Sequence, residues 1–220
     1  MKFSDWEPVY QEICRDFGFS PDSDAMSVRL LKAVTPNLDL RDEDVLIPLI
    51  GGTVTVVGDS PGLEEDLERV SPEGCIIASG SSVLRLLRRG LRPDIVVTDL
   101  DGNINAQLEA SSDGAVTLIL AHGDNMDRVR QYAPLFTGPV VLTTQGRPEN
   151  TVFNFGGFTD GDRCVCLARE FGARRIILLG FDFEHPNPKE GTDPDTKKRK
   201  LAWARRIIFG NGSDDIVQPK

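Results

Sequence analysis

The sequence predicts an α/β protein: a mostly parallel sheet flanked by helices, with a small helical cap at the N-terminus and a further helix at the C-terminus. Two observations carry the prediction. Short β-branched runs such as Ile95-Val-Val97 are apolar on both faces, as buried parallel strands are. Helical stretches of roughly ten residues separate most of these runs, which is the spacing of right-handed βαβ units. With 220 residues, 40% of them apolar, the chain can bury a real core.

Taken in order, residues 5–17 read as a first helix capped by Asp5. Residues 21–34 read as a second, with Ser20 as N-cap, Pro21 at the first helical position, and Met26, Leu30, Leu31 and Val34 on one face. Pro36 ends it, and a charged link, 39–44, leads onward. Residues 1–45 are therefore expected to form a cap that supplies a wall of a site or, in a homodimer, a subunit contact. Residues 46–185 form the α/β domain, with strands at 53–57, 75–78, 95–97, 116–120, 140–142 and 176–179. Helices fall at 63–70, before Gly90, around Met126 and Val129, and before Gly172. Beyond Asp182 the chain turns polar and proline-rich. Residues 186–220 then make a basic helix, 195–209, and from Gly210 a frayed tail.

Composition narrows the function. A net charge of −9 argues against nucleic acid or an anionic membrane as partner. The longest apolar runs are too short to span a bilayer, and Lys2 is followed by Asp5 and Glu7 without a secretion signal's apolar stretch. Cys14, Cys75, Cys164 and Cys166 contain no Cys-x-x-Cys pair, and the last two fall on different faces of a helix. Reduced thiols in a cytoplasmic protein are expected, without zinc or a disulfide framework.

The chemistry lies where strands end. In Thr98-Asp-Leu-Asp-Gly102, Asp99 and Asp101 stand one residue apart, and side chains at i and i+2 share a strand face. Two carboxylates held together at the carboxyl end of a parallel strand suit a hard cation such as magnesium. The other strands lead into comparable loops. Gly58-Asp-Ser-Pro-Gly62 and Gly80-Ser-Ser82 both open helices, where free N–H groups favour phosphate; Ser60 reads equally as a plain N-cap. Neither loop is a Walker or a dinucleotide-binding motif. His122-Gly-Asp-Asn125, then Asn154-Phe-Gly-Gly-Phe-Thr-Asp-Gly-Asp162, then Gly180-Phe-Asp-Phe183 follow. Thr159 and Asp162 have capping-box spacing, whereas Asp160, the paired glycines and Phe155 and Phe158, read as exposed, suggest a flexible wall around a flat ligand. Capping explains any one loop; six on one sheet edge make a site.

These residues resemble a family. Gly90-Leu-Arg-Pro-Asp94 followed by Asp99-Leu-Asp101 is similar to the signature of thiamine pyrophosphokinases. The closer resemblance, over roughly residues 53–183, is to the related archaeal 6-hydroxymethyl-7,8-dihydropterin diphosphokinase family, whose motifs stand here in the same order. Asp59-Ser-Pro-Gly-Leu63 departs from that family's usual Gly-Pro-Ser-Leu. The resemblance implies a Rossmann-like fold and transfer of diphosphate from ATP to a dihydropterin hydroxymethyl group, with release of AMP, on the route to methanopterin or folate-type cofactors. Under it, Asp99 and Asp101 hold Mg²⁺, with Asp160 or Asp162 supporting a second ion or its waters. Asp124 orients the attacking hydroxyl or holds pterin nitrogens. Gly58, Ser60, Gly80, Ser81, Ser82, Lys197 and Lys200 meet phosphates, and His122, Asn125, Phe155, Phe158 and Asp182 surround the pterin. For most of Arg85, Arg88, Arg89, Arg92, Lys197, Lys198 and Lys200 a solvated helix face is the plainer reading.

Rival readings share the same residues. A haloacid-dehalogenase-type phosphatase would use Asp99 as nucleophile and Asp101 as acid/base. However, Asn103 replaces the usual Thr, and the motif follows two strand–helix units instead of opening the domain. A thiamine pyrophosphokinase-like enzyme, a nucleotide or pterin sensor without turnover, and a nucleotide-sugar transferase are the others. Two carboxylates held close together argue against a dead site.

Overall fold

The computed structural model describes residues 1–185, 193–210 and 212–219. Its fold is α/β, as the spacing predicts. Among the described residues, eight parallel strands form one sheet: β1 (Asp39–Leu40), β2 (Thr53–Val57), β3 (Cys75–Ser79), β4 (Ile95–Thr98), β5 (Val116–Ala121), β6 (Pro139–Thr144), β7 (Arg175–Leu179) and β8 (Ile216–Val217). Their order is β1-β6-β5-β4-β3-β2-β7-β8. The central strands are buried along nearly their whole length, which is why they read as continuous apolar runs.

The helices are α1 (Phe3–Phe17), α2 (Pro21–Val34), α3 (Leu63–Arg69), α4 (Val83–Arg88), α5 (Ile104–Ser112), α6 (Met126–Tyr132), α7 (Asp160–Glu170) and α8 (Pro194–Phe209). From β2 to β6 the chain steps one way across the sheet, so right-handed crossovers leave α3 to α6 on one face. Val57, Ala78 and Val96 pack there with Leu63, Leu86 and Ala110. The return to β7 places α7 on the opposite face, where Val165 and Leu167 meet Val56, Ile77 and Val97. The strand order reverses beside β2, between it and β7. Ligand crevices open at such a switch point in doubly wound sheets.

Several expectations are corrected. The first helix begins at Phe3, leaving Asp5 inside its first turn and not at the cap. On α2 Leu31 is buried and Leu30 and Val34 pack against the core as expected, but Met26 is 56% exposed and Asp24, Ser27 and Val28 complete the buried face. The charged link contains a strand, Asp39 and Leu40 pairing with Pro139 and Val140. Within the expected frayed tail, residues 215–217 are tied down: Ile216 pairs with Ile176, and Arg169 grips both Asp215 carboxylate oxygens at 2.6 and 2.8 Å. Two-residue strands carry no periodicity, so only the finished sheet edge reveals them. Most of the proline-rich stretch after Asp182, residues 186–192, lies outside the described residues. No helix among the described residues is long and apolar enough to cross a membrane.

Candidate active site

A cleft of ≈ 440 Å³ opens at the carboxyl ends of β2 to β7, closed on one side by Phe19 and by α8. Asp59, Asp99, Asp101, Asp124, Asp160 and Asp182 all line it, as do Lys197 and Lys200. The N-terminal segment thus does supply a wall, through Phe19.

The aspartate pair is built differently from the strand-face argument. β4 ends at Thr98, and Asp99 and Asp101 lie in the turn beyond it. Leu100 between them adopts φ 66°, with its side chain buried and its N–H donating to Thr98 Oγ1 at 2.8 Å. This left-handed residue, rather than strand pleating, aims both carboxylates at the cleft. Side chains from α5 and from the segment after β5 hold the turn: Gln107 Nε2 donates to the Asp101 carbonyl at 2.5 Å and Asn125 Nδ2 to the Asp99 carbonyl at 3.0 Å. Ser81 donates to the Asp101 carboxylate at 3.0 Å.

Asp99, Asp101 and Asp160 each offer an oxygen, and these oxygens lie within 4.8 Å of one another. Three half-buried carboxylates this close repel strongly in a partly desolvated cleft. An all-oxygen set of this kind fits a hard divalent cation and not a soft one.

His122 follows β5. Its Nδ1 accepts from the Asp124 N–H at 3.3 Å, leaving Nε2 as the protonated nitrogen, 3.5 Å from Asp99 Oδ2. Asp124 itself is exposed at the cleft rim. The loop is tied to α2 by Asp24, a carboxylate 3% exposed that accepts from the Gly123 N–H (2.7 Å), the Tyr10 hydroxyl (2.6 Å) and Gln145 Nε2 (2.9 Å). Gln145 in turn accepts from the buried Arg163 at 3.2 Å. The sequence reading assigned no role to Asp24; an acidic residue in the first turn of a helix looks like ordinary dipole matching.

Other expected site residues fall elsewhere. Asp162 is fully buried and turned into its own helix start, accepting from the Phe158 and Thr159 N–H groups at 2.7 and 2.8 Å; burial pushes its carboxyl up to about 7. It stands outside the carboxylate cluster. Phe155 is a core residue, stacked on Phe153 and edge-on to Phe171, so it offers no face to a ligand. Gly156 and Gly157 form a tightly packed turn and not a flexible wall, a Cβ on Gly157 lying 2.6 Å from Arg163 Cα. Gly80, Ser82 and Asn125 are buried supports, Ser82 donating to the Val57 and Ser79 carbonyls.

Ser60 and Ser81 do line the cleft, as do Gly58, His122, Phe158 and Asp182, the last accepting from the Glu184 and His185 N–H groups. Phe158 is not exposed as expected; it packs with Phe17 and Phe19, and Lys200 Nζ stands 5.7 Å over its ring. Of the arginines on and after α4, Arg85 braces the β2 loop through Asp59 (2.9 Å) and the Ser60 carbonyl (2.7 Å), while Arg89 pairs with Glu68 and Arg92 with Asp113. Arg128 was missed altogether. It lies 3.5 Å from Asp99 and 3.8 Å from Asp101. Only its place in the first turn of a helix after the His122 loop hinted at it.

Fold and cleft together define an α/β protein with three clustered carboxylates and two lysines lining one cleft at the carboxyl edge of a doubly wound sheet. The profile of the MptE-like family, described as 6-hydroxymethylpterin diphosphokinase MptE-like, matches residues 29–188, and the chain belongs to that family. Three curated proteins, each called 6-hydroxymethyl-7,8-dihydropterin pyrophosphokinase, are similar over nearly their full lengths. That of Pyrococcus furiosus is 40% identical over 99% of both chains. That of Methanocaldococcus jannaschii is 32% identical over 94% of this chain and 95% of its own. That of Methanothermobacter thermautotrophicus is 36% identical over 94% of each.

Proposed function

We propose that this chain transfers the diphosphate of ATP to the hydroxymethyl oxygen of 6-hydroxymethyl-7,8-dihydropterin and releases AMP. The observation that carries the reading is the meeting of Asp99, Asp101 and Asp160 within 4.8 Å in a cleft that also holds two lysines and the Phe19–Phe158 aromatic wall, in a chain of this family.

In this reaction the pterin hydroxyl loses its proton as its oxygen bonds to the β-phosphorus, and AMP departs with the electrons of the broken α–β bridge. Such chemistry is mostly positioning and charge neutralisation. Asp99, Asp101 and Asp160 would hold Mg²⁺, whose charge offsets that of the β- and γ-phosphates. Lys197 and Lys200 face the same cleft and add positive charge for phosphoryl oxygens. We assign phosphate contacts to Ser60 and Ser81, which line the cleft, and not to the Gly58 N–H, which donates to the Leu179 carbonyl at 2.8 Å. Asp124, at the rim, is the residue we assign to the hydroxyl proton or its hydrogen bond. Phe158 and Phe19 offer an apolar surface for a flat ring, with His122 and Asp182 as polar groups near it. We place the reaction in the cytoplasm, a reading supported by four free, buried cysteines.

Incubation with Mg²⁺, ATP and the pterin, followed by product analysis, tests the proposal. AMP and pterin diphosphate should appear in equal amounts and only with pterin present. Thiamine-dependent AMP, or free phosphate from phosphate esters without AMP, would replace the reading. Asp99→Asn and Asp101→Asn should each lower turnover by about 10²-fold or more with an unchanged circular dichroism spectrum. Full activity in both would remove the carboxylate cluster from the mechanism.

A further inference from the structure

Arg128 belongs to none of the loops that marked the site, yet its guanidinium addresses two of the three clustered carboxylates at once. Nη2 lies 3.5 Å from Asp99 Oδ2 and Nη1 3.8 Å from Asp101 Oδ2. These are the carboxylates whose oxygens meet that of Asp160. The side chain is 33% exposed, so burial does not lock it there. Its neighbour on α6, Arg130, turns instead toward Asp127 on the surface.

We infer that Arg128 makes the acidic cluster select a cation arriving with a polyphosphate over a cation arriving alone. The inference rests on the diphosphokinase reading above. A positive charge beside Asp99 and Asp101 competes with any divalent cation for the same oxygens and lowers the affinity for a free ion. A metal–polyphosphate complex changes that balance. The planar guanidinium fork matches phosphate oxygens as well as carboxylates, so a guanidinium released by the aspartates finds a new partner on the incoming anion. The cation and the polyphosphate therefore raise each other's affinity, and by linkage they do so equally. Lysine would keep the charge but lose the fork. Among the described residues, the other basic side chains at the cleft are Lys197 and Lys200 of α8, His122 with its ring edge at Asp99, and His185, whose Nδ1 lies 3.0 Å from Asp182.

Three affinities test this in wild type, Arg128→Gln and Arg128→Lys: Mn²⁺ alone, followed by electron paramagnetic resonance, and a non-hydrolysable ATP analogue with and without Mn²⁺. Arg128→Gln should bind Mn²⁺ alone roughly three- to tenfold more tightly and the analogue with Mn²⁺ about tenfold more weakly, so the coupling between them shrinks. Arg128→Lys should restore the wild-type Mn²⁺ affinity without restoring that for the analogue. Unchanged or weaker Mn²⁺ binding in Arg128→Gln, or an unchanged analogue affinity, overturns the inference. Asp99→Asn separates the two levels. If it loses Mn²⁺ while the Arg128 variants behave as wild type, only the inference fails. If it binds Mn²⁺ as wild type does, the acidic cluster is not the metal site and the reading beneath it fails too.

Discussion

Among the described residues only Leu100 combines a side chain with a positive φ. A left-handed leucine costs about 1–2 kcal/mol, and burying its side chain returns roughly 1.5–3 kcal/mol. The side chain sits among Ile119, Val129 and Leu142, anchoring the bend that turns Asp99 and Asp101 to the cleft. Leu100→Ala should therefore cost about 2–4 kcal/mol in urea unfolding, because a cavity opens while the strained backbone remains. A loss well under 1 kcal/mol would mean that the turn is held by its hydrogen bonds alone. The pair Asp99 and Asp101 was legible in the sequence as acidic residues at a strand end. The bend that joins them was not, since nothing in a leucine announces positive φ.

At the scale of elements, α2 reaches the catalytic edge chiefly through Asp24. Asp24 satisfies three donors on three separate segments: Tyr10 of α1, Gly123 in the loop after β5, and Gln145 after β6. Ser27, one turn further on, lies 3.3 Å from the Asn125 amide oxygen. Asp24→Ala leaves these donors without their acceptor, and about 2–4 kcal/mol of stability should go with it. Turnover should fall as well, because Gly123 adjoins His122 and Asp124. Asp24→Asn keeps an acceptor oxygen and should be milder on both counts. Thermal melts and AMP release on the two variants check this; an alanine variant that melts like wild type would leave the loop standing without α2. The sequence showed the helix and its approximate bounds, yet the inward turn of Asp24 depends on partners up to 121 residues away.

For the whole molecule, sheet order decides which loops meet. β2 and β7 are far apart in the chain but adjacent in the sheet, and their carboxyl-end glycines touch: a Cβ on Gly58 would lie 2.6 Å from the Gly180 carbonyl oxygen. Ser60 N–H donates to that same carbonyl at 2.9 Å, and the Asp66 carboxylate accepts from the Gly180 N–H at 2.8 Å, so backbone contact and one side chain close the switch point. Gly58→Ala must push the two loops apart. A stability loss of about 1–3 kcal/mol is expected, with a higher KM for ATP, read by denaturation and by initial rates. An unchanged KM would take the β2 loop out of nucleotide binding.

The sequence by itself determined the α/β class, the six central strands, the helices between most of them, and the strand-end loops from which the cleft is made. Each of these rests on local signals: β-branched runs, helix-length spacers, and polar or glycine residues where strands stop. Only the tertiary structure decided which of those polar groups share a volume. It drew in Phe19 from the link between α1 and α2, and Asp24 and Arg128 from helices that carried no motif, turned Asp162 into its own helix cap, and sank Phe155 into the core. It also added the two-residue edge strands β1 and β8. The physical reason is that composition and periodicity report what a segment can form, whereas the direction of a side chain is set by packing against residues that the sheet order brings beside it.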